Sequence, residues 1–156
     1  MTPAIKLLTK QRAEFTVHEY HHDSNAESYG LEAAEKLSLN PKQVFKTLVV
    51  NTHDDQLAVA IVPVAQQLSL KACAKALGVK KVAMADKQRV QRTTGYFLGG
   101  VSPIGQKKRL PTVIDASAQG QVTIFVSAGR RGLEIELAPS LLQASTNATF
   151  ADIAEQ

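Results

Sequence analysis

Two features of the sequence could carry chemistry. In VFKTLVV a single cation, Lys46, stands inside an apolar, β-branched run. Strand alternation sets Lys46 on one face with Val44, Leu48 and Val50. Lysine is seldom buried without a partner. It either snorkels at a strand end or points into a pocket, where a desolvated ammonium polarises a carbonyl or holds an anion. The second feature is GGVSPIGQKKRL, residues 99–110, with three glycines and a proline beside three consecutive cations. Gln106 follows Gly105, so the lysine and hydroxyl that close a phosphate-cradling P-loop are missing. Gly99, Gly100 and Gly105 do not form a dinucleotide fingerprint. Ile104 spoils a nucleophile elbow around Ser102. Two readings remain. One is a plain connection. The other is a loop whose Cβ-free backbone approaches a ligand and offers N–H groups to a carbonyl or a developing oxyanion.

The other reactive side chains form no familiar centre. His18, His21, His22 and Asp23 cluster locally, but no second set of ligands stands at zinc spacing, and no metal or other cofactor is expected. Cys73 lies between two alanines on a helical stretch, as a small core residue does, and a Cys–His pair has no supporting motif. Asp54 and Asp55 belong to a solvated turn. Ser127 and Glu134, on either side of the turn in SAGRRGLEIEL, can face a common site across a hairpin.

Charge is distributed unevenly. The net charge is +4, yet residues 71–109 carry ten cations against Asp86 alone, a net of +9, which leaves the rest at −5. Such a block suits a polyanion, although a set of solvated lysines gives the same count. Only Tyr96 and Phe97 interrupt it with aromatic rings, too few for a stacking platform of the single-strand-binding kind. The 156 residues, 44% hydrophobic and 21% charged, suit one globular domain over 1–156. No apolar run has the length of a membrane span, the N-terminus lacks a signal-peptide pattern, and a lone cysteine makes no internal disulfide. These features favour the cytoplasm.

The elements that must position Lys46 and the loop follow from periodicity. Thr2-Pro3 caps a helix over 3–12. Residues 15–20 alternate as a strand, with Phe15, Val17 and Glu19 on one face and Thr16, His18 and Tyr20 on the other. The polar loop HHDSNAESYG follows, then a short helix over 31–37 that stops before Asn40-Pro41. Residues 45–51 and 56–62 form a hairpin around THDD. A helix over 70–77 stops at Gly78, and Asp86 caps another through Arg92. Thr93-Thr94-Gly95 reads as a turn anchoring the start of the glycine loop. Strands are expected at 111–115, 122–126 and 133–137, then a short helix from Pro139 and a last helix ending near Ala154. The order gives an α/β or α+β domain around a mixed, curled sheet.

The stretches MTPAIKLL, FKTLVV, VKKVAMAD, QRTTGYFLGGVSPIGQKKRLPTVID and FVSAGRRGLEIEL resemble the YbaK family of free-standing Cys-tRNA(Pro) deacylases, relatives of the editing domain of bacterial prolyl-tRNA synthetases. The resemblance runs from Met1 to about Ile153. It implies an α/β YbaK-like fold, with a mixed, barrel-like β-sheet and surrounding helices. It implies clearance of cysteine from mischarged Cys-tRNA(Pro), with the substrate's own thiol attacking its ester, so that no Ser-His-Asp triad or metal is needed. The family's G-x-x-x-P loop corresponds to Gly99, Gly100 and onward to Pro103, and its key lysine to Lys46. Tyr20, Tyr29, Thr47, Ser127 and Glu134 fall where the family lines its pocket. Relatives often carry Phe at position 29 and Asp at position 134. Lys107, Lys108 and Arg109, with Arg130 and Arg131, would meet tRNA phosphates. Mischarged tRNA(Pro) and prolyl-tRNA synthetase are the implied partners, with no membrane and no DNA. An Ala-tRNA(Pro) deacylase and a non-catalytic tRNA- or synthetase-binding module are the rival readings.

Overall fold

The Thr2 hydroxyl accepts the Ile5 N–H at 3.3 Å and Pro3 occupies the first turn, so the chain enters helix α1 (Pro3–Lys10) as its sequence dictates. The computed structural model describes residues 1–24 and 29–156. Part of the HHDSNAESYG loop, residues 25–28, lies outside them. Strand β1 (Phe15–Glu19) and helix α2 (Tyr29–Lys36) follow, then a one-turn 3-10 helix, Pro41–Gln43. The hairpin is β2 (Phe45–Thr52) and β3 (Leu57–Pro63), paired Lys46 to Val62 and Val50 to Ala58. Helix α3 (Leu70–Leu77) ends on Gly78 in the left-handed region. Next come β4 (Val82–Met84), α4 (Lys87–Thr94) capped by the Asp86 carboxylate, β5 (Thr112–Asp115), β6 (Ile124–Arg130), β7 (Leu133–Leu137), α5 (Pro139–Thr146) and β8 (Thr149–Ala151).

The strands make two open sheets, β1-β7-β6 and β4-β2-β3-β5-β8. They meet at one bridge, Val44 to Phe125, and do not close, which corrects the barrel-like expectation. The main core fills the space between them, with Phe45, Ile61, Ile114, Ile124, Ile135 and Leu137 packed with Ala4 and Leu8 of α1. A second core, around Val50, Ala60, Val62, Cys73 and Ile153, lies between the five-stranded sheet and α3. With both faces covered, β3 is buried at every position, which is why it reads as a continuous apolar run. A third cluster seats α2, through Ala33 and Ala34, on Val44, Val64 and Phe125.

Three segments differ from the sequence reading. Thr93 and Thr94 are the last turn of α4 rather than a separate turn, and Gly95 is its left-handed cap. The strand expected at 122–126 begins at Ile124 and runs through a bulge to Arg130. The expected last helix is instead β8, parallel to β5. The buried Asp115 carboxylate receives the Ile153 and Ala154 N–H groups at 2.9 and 3.1 Å, and so ties the segment after β8 to the end of β5. No described helix is long and apolar enough to cross a membrane.

Candidate active site

β4 pairs only with residues 50–52 of β2, so the preceding part of that edge has no sheet partner on the β4 side. A cleft of about 300 Å³ opens along it. Phe45, Lys46, Thr47 and Leu48 all line the cleft, because the strand offers its edge rather than one face. Opposite stand Tyr20, beyond the end of β1, Tyr29 at the start of α2, and Ser127, Arg130, Arg131 and Glu134 of the β6–β7 hairpin. The 99–110 loop supplies Gly99 and Val101, preceded by Leu98. Among the described residues that line the cleft there is no histidine or cysteine.

Ser127 and Glu134 face each other directly in the β6–β7 register. The Ser127 hydroxyl accepts the Gly129 N–H at 3.1 Å, inside the bulge. Burial pushes the Glu134 carboxyl up to about 8, so at neutral pH it is mostly the uncharged acid. Burial lowers the Lys46 ammonium below its usual range. Burial also raises the Tyr20 hydroxyl, outweighing the lowering backbone hydrogen bond at Gly132, and the charges of Glu134 and Glu32 add to the rise. The Thr47 Oγ1 is buried and has no hydrogen-bond partner among the described residues.

The raised acid makes stability depend on pH. Its folded value, about 8, lies above the unfolded 4.5, so between those values the folded state holds a proton that the unfolded state has released. The stability that Glu134 contributes therefore falls as pH rises from about 4.5 to about 8. Glu134→Gln escapes this loss. Its melting temperature should exceed that of wild type by roughly 5–10 °C at pH 8.5, with little difference at pH 4, in paired thermal melts. A pH-independent difference would contradict the buried acid.

The remaining expected residues divide sharply. Gly100 is buried against the Arg130 backbone, where an added Cβ would sit 2.7 Å from Arg130 Cα. Pro103 does not line this cleft. It lines a separate hollow of about 250 Å³ with Leu7, Gln11, Gly105 and Arg109. The loop turns over at Ser102, whose buried hydroxyl accepts the Ile104 N–H at 3.3 Å, and the Tyr96 hydroxyl donates to the Ile104 carbonyl at 2.6 Å. Lys107 and Lys108 are exposed, their N–H groups bonded to the Thr94 and Thr93 carbonyls, while the Thr94 hydroxyl accepts the Tyr96 N–H at 3.2 Å, so the end of α4 holds both the start and the far side of the loop. Arg109 reaches the Ser145 carbonyl at 3.4 Å. These three cations do not line the cleft, whereas Arg130 and Arg131 do.

Other reactive groups have structural uses. Cys73 is fully buried in the second core, and burial pushes its thiol up to about 11, which disfavours the nucleophilic thiolate. His18 bonds Glu136 at 2.9 Å. Arg89 of the basic block donates to Asp55 at 2.6 Å. Sequence reasoning missed Glu32, which looks like a solvated helix position and is in fact buried against His22 at 2.7 Å. It also missed Phe45, Gly30, Leu98 and Val101 as cleft walls, since only tertiary packing brings them there.

Polar groups gathered around an open strand edge make this cleft the candidate site. Comparison with known proteins gives it a family. A family model described as the aminoacyl-tRNA editing domain matches residues 24–144. Over 155 residues the chain is 40% identical to an Enterococcus faecalis protein provisionally named Cys-tRNA(Pro)/Cys-tRNA(Cys) deacylase EbsC, covering 97% of this chain and 92% of that one. A proline–tRNA ligase of Brachyspira hyodysenteriae is 24% identical over 95 residues, 61% of this chain and 16% of the ligase. A crystal structure described as a provisional trans-editing enzyme for prolyl tRNA synthetase superposes with a TM-score of 0.85 at 23% identity, over 100% of this chain and 99% of the other. This chain belongs to the aminoacyl-tRNA editing domain family.

Proposed function

We propose that this protein is a trans-editing deacylase that clears cysteine from Cys-tRNA(Pro). The observation that carries this reading is the convergence of Lys46 and the Gly99 loop on one cleft, with no histidine or cysteine among the described residues that line it. Such a site orients and polarises an ester rather than attacking it. The 40% identity to the Enterococcus faecalis protein supports the substrate class. The need is physical. Cysteine and proline are close in size, and an apolar synthetase pocket separates such neighbours poorly, so a second hydrolytic sieve is useful.

In the proposed step the cysteinyl sulfur attacks its own ester carbon. A cyclic thioester forms, the carbon–oxygen bond to the ribose breaks, and the ribose oxygen leaves with the proton that the thiol gives up. The Lys46 ammonium and the Gly99 N–H stabilise negative charge as it develops on the carbonyl oxygen, the Gly100 N–H being held by the Phe97 carbonyl. Thr47 and Ser127 hold the substrate's polar atoms, and Tyr20 and Tyr29 bound the side-chain space. Arg130, Arg131 and the exposed Lys107–Arg109 run meet tRNA. Selection among tRNAs would come from a complex with prolyl-tRNA synthetase, and the proline–tRNA ligase relative supports that partner. The folded unit is taken as one editing domain over 1–156.

The test is purified protein against Cys-tRNA(Pro), Ala-tRNA(Pro) and correctly charged Pro-tRNA(Pro). The cysteinyl substrate should be cleared at least about tenfold faster than the other two, because only it carries the thiol. Equal clearance of the alanyl substrate would exclude attack by the thiol, and tRNA binding without clearance would favour the non-catalytic module.

A further inference from the structure

Arg131 enters the cleft already held. Its Nη1 lies 3.0 Å from His22 Nε2, and its guanidinium carbon lies 3.4 Å from the centre of the Tyr29 ring. Behind His22 stands Glu32, only 6% exposed. One Glu32 oxygen meets His22 Nδ1 at 2.7 Å and the other accepts the Asp23 N–H at 2.8 Å. Burial raises the Glu32 carboxyl, but the hydrogen bonds from the His22 ring and the Asp23 N–H lead the effects that lower it, and the group lies below its usual range. A carboxylate only accepts, so His22 Nδ1 carries the proton. A guanidinium only donates, so His22 Nε2 presents its lone pair to Arg131. Each atom in this chain has one role that fits its neighbour.

Arg131 takes part in none of the ion pairs among the described residues. A neutral ring nitrogen and an aromatic face hold it without neutralising it, and its other N–H groups are left for a ligand. We propose that His22 and Glu32 are positioning residues that hold Arg131 to receive the phosphate of the tRNA's terminal nucleotide. This rests on the deacylase reading. The aminoacyl group offers the guanidinium no anion, because its own charge is an ammonium. The anion covalently nearest the scissile ester is the phosphodiester that joins the terminal adenosine to the chain. A planar guanidinium fork suits phosphate oxygens, and fixing the fork in advance leaves less side-chain freedom to be lost on binding.

The test compares Cys-tRNA(Pro) with cysteinyl-adenosine, which keeps the ester and lacks the phosphate. His22→Phe, which keeps a ring and removes both nitrogens, and Arg131→Ala should each raise KM for Cys-tRNA(Pro) by about tenfold, with kcat within about threefold. Each should lose at least about fivefold more on Cys-tRNA(Pro) than on cysteinyl-adenosine, and the double variant should be no worse than Arg131→Ala, since His22 acts through Arg131. Equal losses on the two substrates, or single effects that multiply to about a hundredfold in the double variant, would overturn the proposal. His22→Ala serves in the same way if the phenylalanine variant does not fold. A wild-type protein that cleaves neither substrate would sink the deacylase reading alone. The positioning claim is then read from Kd for the trinucleotide CCA: about tenfold weaker binding by both variants supports it, and unchanged binding rejects it.

Discussion

Lys46→Ala lowers kcat/KM for Cys-tRNA(Pro) by at least about a hundredfold and leaves the melting temperature within a few degrees of wild type. The two halves of this expectation have one cause. Lys46 is half-buried on the free edge of β2, and burial disfavours its charged form. It enters none of the ion pairs among the described residues. A cation in that setting adds little to the fold, so removing it relieves a desolvation cost and forfeits no salt bridge. Its strand stays paired to β3, since the register from Phe45 to Asn51 depends on backbone bonds and on flanking Val, Leu and Phe. In the reaction the same ammonium is the one lysine in the cleft, and a preorganised cation beside a developing oxyanion is among the larger single contributions to catalysis. Lys46→Met keeps the length and removes the charge, and it should fall with the alanine variant. Single-turnover clearance rates and thermal melts decide the matter; full activity in either variant would remove Lys46 from the mechanism.

How much of this was legible in the sequence depends on the range of the interaction. β3 shows as an apolar, β-branched run because every position along it is buried, and β2 shows through the β-branched and apolar residues that pair with it. β8 does not show, because ATFADIA has helix-compatible composition and becomes a strand only beside β5, next to the Asp115 carboxylate. The closed sheet expected from resemblance fails for a related reason: closure is set by which edges meet, and here only Val44 and Phe125 do. Lys46 stood out as a cation in an apolar run, and Gly99 as part of a glycine-rich loop. The G-x-x-x-P resemblance joins Pro103 to Gly99, whereas the turn at Ser102 sends Pro103 toward α1. The Glu32–His22–Arg131 chain joins residues 109 apart in sequence, from the segment before α2 to the turn between β6 and β7, and has no local signature at all.

Gly99→Ala and Gly100→Ala separate the loop's part in the site from its part in the fold. Gly99 has φ +89°, where an L side chain is strained by about 1 kcal/mol. Its new methyl would sit 2.5 Å from Tyr29 Cε2 and 2.8 Å from Arg131 Nε, both side-chain atoms. The ring and the guanidinium can give way, and in doing so they abandon the stacked pair at the cleft wall. Gly99→Ala should therefore stay folded, with a melting temperature lowered by roughly 2–6 °C, and lose at least about tenfold in kcat/KM. At Gly100 the obstacle is backbone, Arg130 Cα at 2.7 Å and its carbonyl carbon at 3.1 Å. Neither atom can rotate aside, so the loop must lift from the β6–β7 hairpin. Gly100→Ala should cost about 2–3 kcal/mol in denaturant unfolding, with activity falling as a consequence of the displaced loop. The diagnostic is the order of the two losses. If Gly99→Ala keeps full activity, the loop is a connection and the cleft is walled by other residues. If Gly99→Ala loses activity while folded, the glycine is there so that backbone, Tyr29 and Arg131 can close around the same ligand.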